Sequence, residues 1–582
     1  MGSIIPSSSS PVIQHREVVS SASDLLANIE PTLRRVYLNR GITSEAQLDR
    51  TLKHLPNYAS LTGIERAVSL IKSIIQADKR IVVVADFDAD GATSCAVAVR
   101  GLRMLGAKYV EFVVPDRFKF GYGLTPEIVD VALALKPDLI ITVDNGISSV
   151  QGVDHAHSHG CQVVITDHHL PPSHLPAAEA IVNPQLKGDQ FPSKALAGVG
   201  VIFYVLLALR AKLGEEGMFK DMTPPKLADL LDIVALGTVA DVVPMDETNR
   251  KLVHQGLLRI KSLRCVPGIK ALLSISKREP NNIIASDLGF AVAPRLNAAG
   301  RLDDMSLGIQ CLLTDNEQEA IQLAEQLDAL NAERRLIEDD MKVSAFKALE
   351  SLKDNQDKAQ KWGICLYDST WHQGVIGILA SRVKDRLNRP VIAFALAGDG
   401  EIKGSARSIP GLHIRDTLDD IASEFPQLLR KFGGHAMAAG MSLAEQDFEL
   451  FTRVFDQAVE KRLNGQEPSG VFLVDGEIPS TDLTLDLAET LRQGGPWGQL
   501  FPEPSFVGNF KVKNSRIVGQ KHVKFELYTG AKNRVVEAIY FNPEDPDQLI
   551  GLPNVKLVYQ LDINRYLGRS SLQLLVQHLE KI

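Results

Sequence analysis

The stretch VVVADFDADGATS at residues 82–94 decides the fold class, because an apolar run breaks off there into Asp86, Asp88 and Asp90. A short, continuous apolar run that ends in polar residues is typical of a buried strand. The following residues, Ala92–Leu105, have the length and pattern of a helix. Three carboxylates this close repel one another unless a cation lies among them. The stretch therefore predicts a strand, an acidic turn that could hold a metal ion, and a helix.

Three other interpretations of the acidic turn stay open at this point. An EF-hand loop also begins DxDxDG, but its twelfth position should be Glu, where this sequence has Val97, and a helix should precede it. A haloacid-dehalogenase-type phosphatase also starts with a strand and DxD. It should carry Thr or Val two residues later, where Asp90 or Ala92 stands. The third interpretation is an acidic turn that only contacts solvent.

Apolar runs and helical patterns alternate from Arg80 to Asn183, which is typical of βαβ units around a parallel sheet. The predicted strands are Ile81–Ala85, Tyr109–Val114, Leu139–Val143 and Gln162–Ile165. Ligands of an open parallel sheet bind beyond the carboxyl ends of its strands.

Ionisable residues stand at these strand ends. Asp144 follows the third predicted strand, Asp167, His168 and His169 follow the fourth, and Asp241 follows a later apolar run. Carboxylate and imidazole ligands without thiolates favour Mn²⁺ or Mg²⁺ over structural zinc. There are enough ligands for two ions with one bridging carboxylate, an arrangement that drives attack of water on phosphorus.

Four motifs resemble those of the DHH phosphoesterase superfamily, in the same order. They are DFDADGATS (86–94), VDNGISS (143–149), TDHH (166–169) and GTVADVVP (237–244). Further stretches are similar to the RecJ branch of that superfamily: PRLNAAGRLDD (294–304), WHQGVIGILASR (371–382), GSARS (404–408), FGGHAMAAG (432–440), GPWGQLFPEPSF (495–506) and SLQLLVQHL (571–579). The resemblance covers about residues 30–582.

The resemblance implies an α/β fold with a parallel-sheet DHH catalytic domain, long linker helices, a second α/β domain and a C-terminal β-barrel like an oligonucleotide-binding (OB) fold. Strand-like runs near the C-terminus, such as Phe510–Lys513 and Val523–Leu527, independently fit a small barrel. The expected segments are a tail over 1–30, the DHH domain over 31–308, a helical linker over 309–362, the DHH-associated nucleic-acid-binding domain over 363–465 and the single-strand-binding barrel over 466–582.

The resemblance also implies an activity: hydrolysis of single-stranded DNA from its 5′ end to mononucleotides, in recombination and repair, with two Mn²⁺ or Mg²⁺ ions. The implied metal ligands are Asp86, Asp88, Asp90, Asp144, His168 and Asp241, with Asp144 bridging. Asp167 would orient an imidazole, and His169 would lie closer to substrate than to metal. Two rivals are a phosphoesterase acting on oligoribonucleotides or cyclic dinucleotides and a catalytically dead DNA-binding scaffold.

Recognition of a terminal phosphate needs guanidinium groups, hydroxyls and backbone N–H donors. The candidates are Arg117, Arg301, His372, Arg382, Ser405, Arg407 and Gly434, and Arg295 competes with Arg301 for one role. Alternatively, the arginines pair with carboxylates, and Gly434 only makes a tight turn.

A basic stretch without acidic residues, Ser505–Phe525, could attract a single strand. Its proposed DNA contacts are Lys511, Lys513, Lys521 and Lys524, interleaved with Phe506, Phe510 and Phe525. The phenylalanines either stack on bases or fill the core of the barrel, and core positions are favoured.

The composition limits the number of domains and the kinds of partner and compartment that we expect. The 582 residues suggest three or four domains, and 63 basic against 71 acidic side chains give a net charge of −8, which by itself indicates no nucleic-acid partner. Five scattered cysteines without a CxxC motif indicate a reducing cytoplasm. The longest nearly uncharged apolar stretch, Ala197–Leu209, is too short to span a membrane. We expect a monomer, with single-strand-binding protein and a helicase as the partners that the resemblance implies.

Overall fold

The computed structural model describes residues 11–17, 26–116, 119–120, 122–353, 362–466, 468, 470–519, 521–530, 534–566 and 568–582. The chain divides into two compact units. The larger unit comprises His15–Leu330 and Leu473–Ile582, and the smaller unit comprises Met1–Gln14 and Asn331–Phe472. Where the chain passes between them, strand β1 (Val12–His15) pairs with a strand at Val471–Val474.

A five-stranded sheet forms the centre of the larger unit, in the order β3-β2-β4-β5-β6, and all its neighbouring strands are parallel. The strands are β2 (Arg80–Ala85), β3 (Tyr109–Val113), β4 (Leu139–Val143), β5 (Gln162–Thr166) and β6 (Ala180–Val182). Alternate residues of β2 join two different apolar clusters: Ile81 and Val83 belong to one, Val82 and Val84 to the other. The sheet is therefore covered on both faces, which confirms the predicted parallel arrangement.

Helices pack on both faces of this sheet and extend beyond it. They are α1 (Pro31–Leu38), α2 (Ile64–Gln76), α3 (Ala89–Met104), α4 (Pro126–Leu133), α5 (Val150–Ser158), α6 (Gly198–Glu215), α7 (Leu231–Ala240), α8 (Glu247–Lys261), α9 (Pro267–Ile275), α10 (Ala285–Asp287), α11 (Ala293–Leu302) and α12 (Ser306–Leu313). Helices α3 and α6 are buried along most of their length, as their small and apolar residues require. Among the described residues, none of the helices has the length and apolar character needed to cross a membrane.

The long helix α13 (Glu317–Lys353) contributes to both units, because the boundary falls after Leu330. In the smaller unit, a mixed sheet in the order β10-β11-β9-β8-β7 has a core that includes Phe394, Phe451 and Phe455. Its elements are β7 (Ile364–Tyr367), α14 (Ile376–Leu387), β8 (Val391–Gly398), β9 (Glu401–Arg407), α15 (Ile414–Glu424), β10 (Lys431–Gly434), β11 (Ala438–Ala444) and α16 (Phe448–Arg462). Strand β12 is the partner of β1 at Val471–Val474.

The C-terminal part of the larger unit holds α17 (Leu485–Gly494) and a closed barrel in the order β13-β14-β15-β17-β16. Its strands are β13 (Phe506–Val518), β14 (His522–Thr529), β15 (Arg534–Tyr540), β16 (Asn554–Tyr566) and β17 (Arg569–Lys581). This confirms the predicted barrel. Phe506, Phe510 and Phe525 are buried in its core, so the idea that they stack on nucleic-acid bases is wrong. The five segment boundaries expected from the sequence remain predictions.

Candidate active site

The acidic turn after β2 is built from backbone hydrogen bonds to its own carboxylates. Asp88 caps α3, since its Oδ1 accepts a hydrogen bond from the N–H of Gly91 at 2.9 Å. Asp86 Oδ1 accepts from the N–H of Phe87 at 2.8 Å. A Cβ atom at Gly91 would lie 2.3 Å from the carbonyl oxygen of Asp86, so this sharp turn requires glycine. The carboxylates of Asp88 and Asp90 lie at the positive end of α3, which favours negative charge.

Asp90 is held by the first turn of α6. The N–H groups of Gly198 and Val199 donate to its two carboxylate oxygens at 2.6 and 3.0 Å. Burial, together with repulsion from Asp88, raises the pKa of Asp90 to about 7. The sequence analysis missed this support, although two glycines within an apolar helix were a visible signal of close packing.

Asp144 follows β4 in a left-handed backbone conformation, with φ of +62°. Its side chain is buried, and its Oδ1 accepts no hydrogen bond from the described residues. Burial and repulsion from neighbouring aspartates, Asp90 first, raise the pKa of Asp144 well above the ordinary value. Asn145 ties this turn to β2, because its amide donates to the carbonyl of Val84 at 3.1 Å. A buried carboxylate oxygen without a donor fits a site for a cation.

Asp167 organises the two histidines after β5. It accepts hydrogen bonds from the N–H of Ile147 at 2.9 Å, from the N–H groups of His168 and His169 at 2.7 and 3.0 Å, and from the His169 ring at 2.7 Å. Burial alone would raise the pKa of Asp167, but these bonds and the imidazole charges outweigh it and keep the pKa low. Asp167 therefore orients the ring of His169.

The ring of His169 has a raised pKa. Burial alone would lower its pKa, but the hydrogen bond to Asp167 and the charges of Asp86 and Asp88 outweigh burial and raise the pKa to about 9. Tyr122, which the sequence analysis missed, places its hydroxyl 3.3 Å from the ring nitrogens of His169 and 3.3 Å from the carbonyl oxygen of Asp144. The sequence signal for Tyr122 was a tyrosine between two glycines at the end of the β3–α4 connection.

The predicted ligands converge. Ligand atoms within 4.8 Å of one another come from Asp86, Asp88 and Asp144, from Asp90, His168 and Asp241, and from Asp144, His168 and His169. The His168 Nε2 atom lies 3.1 Å from Asp144 Oδ1 and 3.4 Å from Asp241 Oδ2. Burial and repulsion from Asp90, Asp88 and Asp86 also raise the pKa of Asp241. Carboxylates crowded in this way, with imidazole and no thiolate, fit two hard divalent cations.

Helix α11 packs against the acidic turn and supports it. Asn297 Oδ1 accepts a hydrogen bond from the N–H of Ala89 at 3.0 Å, and a Cβ atom at Gly300 would lie 1.8 Å from the carbonyl oxygen of Phe87. The turn thus abuts the residue before Arg301. Arg295 is half of an ion pair in which both Nε and Nη2 lie 2.8 Å from Asp328 Oδ1. Arg295 therefore has a carboxylate partner, and which of the two arginines binds phosphate stays a prediction.

In the smaller unit, Ser405 and Arg407 meet the first turn of α14. Arg407 Nη1 donates to Ser405 Oγ at 3.2 Å, and a Cβ atom at Gly377 would lie 2.8 Å from Arg407 Nη2 and 2.9 Å from Ser405 Oγ. Burial lowers the pKa of Arg407, and no carboxylate of the described residues forms an ion pair with it. A guanidinium, a hydroxyl and a helix N-terminus together form an anion site.

The other candidates in the smaller unit have structural explanations. Arg382 pairs with Glu338, with Nε 2.8 Å from Oε1. His372 Nδ1 accepts from the N–H of Gly374 at 3.1 Å. Gly434 has φ of +147°, and a Cβ atom there would lie 2.4 Å from the carbonyl oxygen of Ala438, so the hairpin itself requires glycine. Arg117 lies outside the described residues.

The four barrel lysines lie on or beside β13 and β14, and two of them are neutralised by the neighbouring strand. Lys513 pairs with Glu526 at 3.0 Å, and Lys524 pairs with Glu537 at 2.9 Å. Lys511 and Lys521 are exposed and form no ion pair with a described residue. The basic stretch therefore carries less free charge than its sequence indicates.

Three domain-family models match the chain: the DHH family, N-terminal domain, over residues 80–238, the DHHA1 domain over 360–461 and the RecJ OB domain over 474–578. The single-stranded-DNA-specific exonuclease RecJ of Escherichia coli K12 is 49% identical over 97% of this chain and 98% of its own length. The RecJ of Salmonella typhimurium LT2 is 50% identical, covering 96% of this chain and 98% of its own.

Solved structures agree with these relatives. The crystal structure of RecJ from Thermus thermophilus in complex with Mn²⁺ has a TM-score of 0.80 at 29% sequence identity, and the match covers 98% of this chain and 80% of that chain. The Mg²⁺ complex from the same organism has a TM-score of 0.74 at 27% identity, over 98% of this chain and 78% of that chain.

Proposed function

The chain belongs to the RecJ family of single-stranded-DNA-specific exonucleases, and from this premise we infer that it hydrolyses single-stranded DNA with Mn²⁺ or Mg²⁺. We propose that it works from the 5′ end and releases mononucleotides, in recombination and repair. The observation that carries the proposal is the convergence of the six predicted ligands, among them the buried Asp144, whose Oδ1 accepts no hydrogen bond from a described residue.

Two bound divalent cations would activate a water and stabilise negative charge on the scissile phosphate. We assign Asp86, Asp88 and Asp144 to one ion and Asp90, His168 and Asp241 to the other, with Asp144 between them. The chain's own hydrogen bonds position two of these ligands. Helix α6 fixes Asp90, and Asn145 ties the Asp144 turn to β2.

The proposed role of His169 is to hold phosphate oxygens rather than a metal ion. Its ring nitrogen Nδ1 is bound to Asp167 at 2.7 Å, which raises the pKa of the ring and fixes its orientation. A cationic ring in a site that is otherwise acidic lowers the cost of bringing in a polyanion. The Tyr122 hydroxyl beside this ring is placed to donate to the same substrate group.

The proposed polarity depends on the anion site formed by Ser405, Arg407 and the first turn of α14. A terminal phosphate carries more negative charge than an internal phosphodiester, and it lacks the second ester group that would clash in a closed site. A half-buried guanidinium that forms no ion pair with a described carboxylate would favour such a group.

Digestion of single strands labelled at either end tests the proposal. With Mn²⁺ present, we expect mononucleotides from the 5′ end only, faster with a 5′ phosphate than with a 5′ hydroxyl, and no attack on a blunt duplex. Arg407→Gln should abolish the preference for 5′ phosphate, whereas Arg453→Gln, an exposed arginine of the same unit, should leave it intact. Release from the 3′ end, or loss of the preference in both variants, would contradict the proposed polarity. Comparable rates on dinucleotides and long strands would favour a small-substrate phosphoesterase.

We further propose that the protein acts as a monomer in the cytoplasm, beside single-strand-binding protein and a helicase. The five cysteines form no disulfide with one another, which supports a reducing compartment. Light scattering on the purified chain tests the monomer, and pull-down with each purified partner tests the contacts.

A further inference from the structure

A cavity of about 270 Å³ lies in the larger unit between α8 and the segment that runs from α17 to Glu503. None of the residues that line it belongs to the metal centre or to the predicted DNA contacts. Its size is just below the range of about 300–1,000 Å³ that is typical of small-molecule pockets.

Three cationic side chains from separate parts of the chain line this cavity: Arg50, Lys261 and Arg492. Arg50 donates to the main-chain carbonyls of Gln493 and Gly494, each at 2.8 Å, and to the Tyr37 hydroxyl at 3.2 Å, but to no carboxylate of a described residue. Lys261 forms no ion pair with any described residue. The carboxylates of Asp562 and Asp287 are 3.8 and 4.0 Å from Arg492.

Elsewhere in the larger unit, a buried cation can have a close carboxylate partner. Arg40, for example, lies 2.8 Å from the buried carboxylate of Asp475. Arg50 and Lys261 form no ion pair with a described residue, and a partly buried cation of this kind carries a desolvation cost that an anion would offset. Burial and the nearby Arg492 lower the pKa of Lys261, and the charges of Glu489 and Asp287 only partly offset this.

The remaining walls offer an apolar face, one imidazole and one carboxyl group. Leu257, Pro496 and Trp497 supply the apolar surface. His254 is neutral, because burial and the charges of Arg50 and Lys261 lower its pKa to about 4. Glu503 is bound to the Ser286 side chain, and burial raises its pKa.

We propose that this cavity binds a nucleoside 5′-monophosphate, with the phosphate at Lys261 and Arg492 and the base against Trp497 and Pro496. An anion with one flat apolar face matches both halves of the lining. The cavity itself does not depend on the proposed function. The choice of a nucleotide does rest on it, because the proposed reaction releases nucleoside monophosphates.

Equilibrium dialysis with labelled dTMP tests this site on the full-length chain. The chain carries the Arg407→Gln substitution, which removes the proposed terminal-phosphate site. EDTA removes the divalent cations of the metal centre. We expect one saturable dTMP per chain, competition by inorganic phosphate, and weaker binding of thymidine. Adding Lys261→Met should weaken dTMP binding about tenfold. Adding Lys187→Met, an exposed lysine elsewhere in the unit, should not change it.

Thermal unfolding provides a second readout, since a ligand that binds only the folded chain raises the melting temperature. Here dTMP should stabilise the Arg407→Gln chain and lose this effect with Lys261→Met. Lys261→Gln replaces Lys261→Met if the latter does not fold. The proposal is overturned if dTMP does not bind saturably, if Lys261→Met leaves binding unchanged, or if a single-stranded oligonucleotide occupies the cavity instead. Because no turnover is measured, failure here leaves the exonuclease assay unaffected, and failure of that assay leaves this result standing.

Discussion

Replacement of Gly198 by alanine should disable the metal centre without removing a ligand. Gly198 is the first residue of α6, and its N–H donates to Asp90 at 2.6 Å. A Cβ atom at this position would lie 2.6 Å from the Cβ and 2.7 Å from the Oδ1 of Asp144. Asp90 and Asp144 are both metal ligands in the proposed assignment. The added methyl group therefore displaces groups of the metal centre directly.

The size of the effect follows from this overlap. Ordinary contacts of a Cβ atom begin near 3.4 Å, so the methyl group and Asp144 must separate by about 0.8 Å. A displacement of about 1 Å in a catalytic site costs roughly a hundredfold in rate. Alanine normally stabilises a helix by up to about 1 kcal/mol relative to glycine, and overpacking costs about 1–3 kcal/mol. We therefore expect kcat/KM to fall about a hundredfold while the free energy of unfolding falls by no more than about 2 kcal/mol.

The assay is Mn²⁺-dependent release of nucleotides from a 5′-labelled single strand, with thermal unfolding on the same samples. Gly214→Ala is the matched control, because it lies on the same helix and its Cβ atom would make an ordinary 3.6 Å contact with Phe219. The control should keep full activity and unfold at a slightly higher temperature. A Gly198→Ala chain that folds normally and retains activity within threefold would refute the assignment of Asp90 and Asp144 as ligands held by α6.

Three further outcomes are expected. Asp144→Asn should lower Mn²⁺-dependent activity by at least about a hundredfold, yet raise the melting temperature in EDTA, because it removes a buried charge that the neighbouring aspartates repel. Asp475→Ala should lower the free energy of unfolding in urea by about 3–5 kcal/mol, since it leaves the buried Arg40 unpaired. Lys511→Gln should reduce the slope of log affinity for single strands against log salt by about 0.7, whereas Lys513→Gln should reduce it less, because Lys513 already has an acidic partner across the sheet.

The strands of the catalytic sheet were predictable because apolar runs of strand length recur with polar ends. Strand β6 was missed, since three residues leave too short a pattern to distinguish from a loop. The barrel phenylalanines show the opposite difficulty. Aromatic residues next to lysines fit both a stacking surface and a barrel interior, and only closure of the barrel places Phe506 and Phe525 inside.

The sequence by itself determined which residues could bind metal. Acidic and imidazole residues at consecutive strand ends of a parallel sheet must meet at one edge, because the strands share a direction. Only the tertiary structure decided how that edge is supported. Gly198 and Asn297 reach the acidic turn from helices 108 and 208 residues further along the chain than their partners. The structure also decided which positive charges are paired. Arg295 forms an ion pair with Asp328, and Lys513 forms one with Glu526. Local sequence patterns fix hydrogen bonds between near neighbours, whereas contacts across such separations depend on how the elements pack.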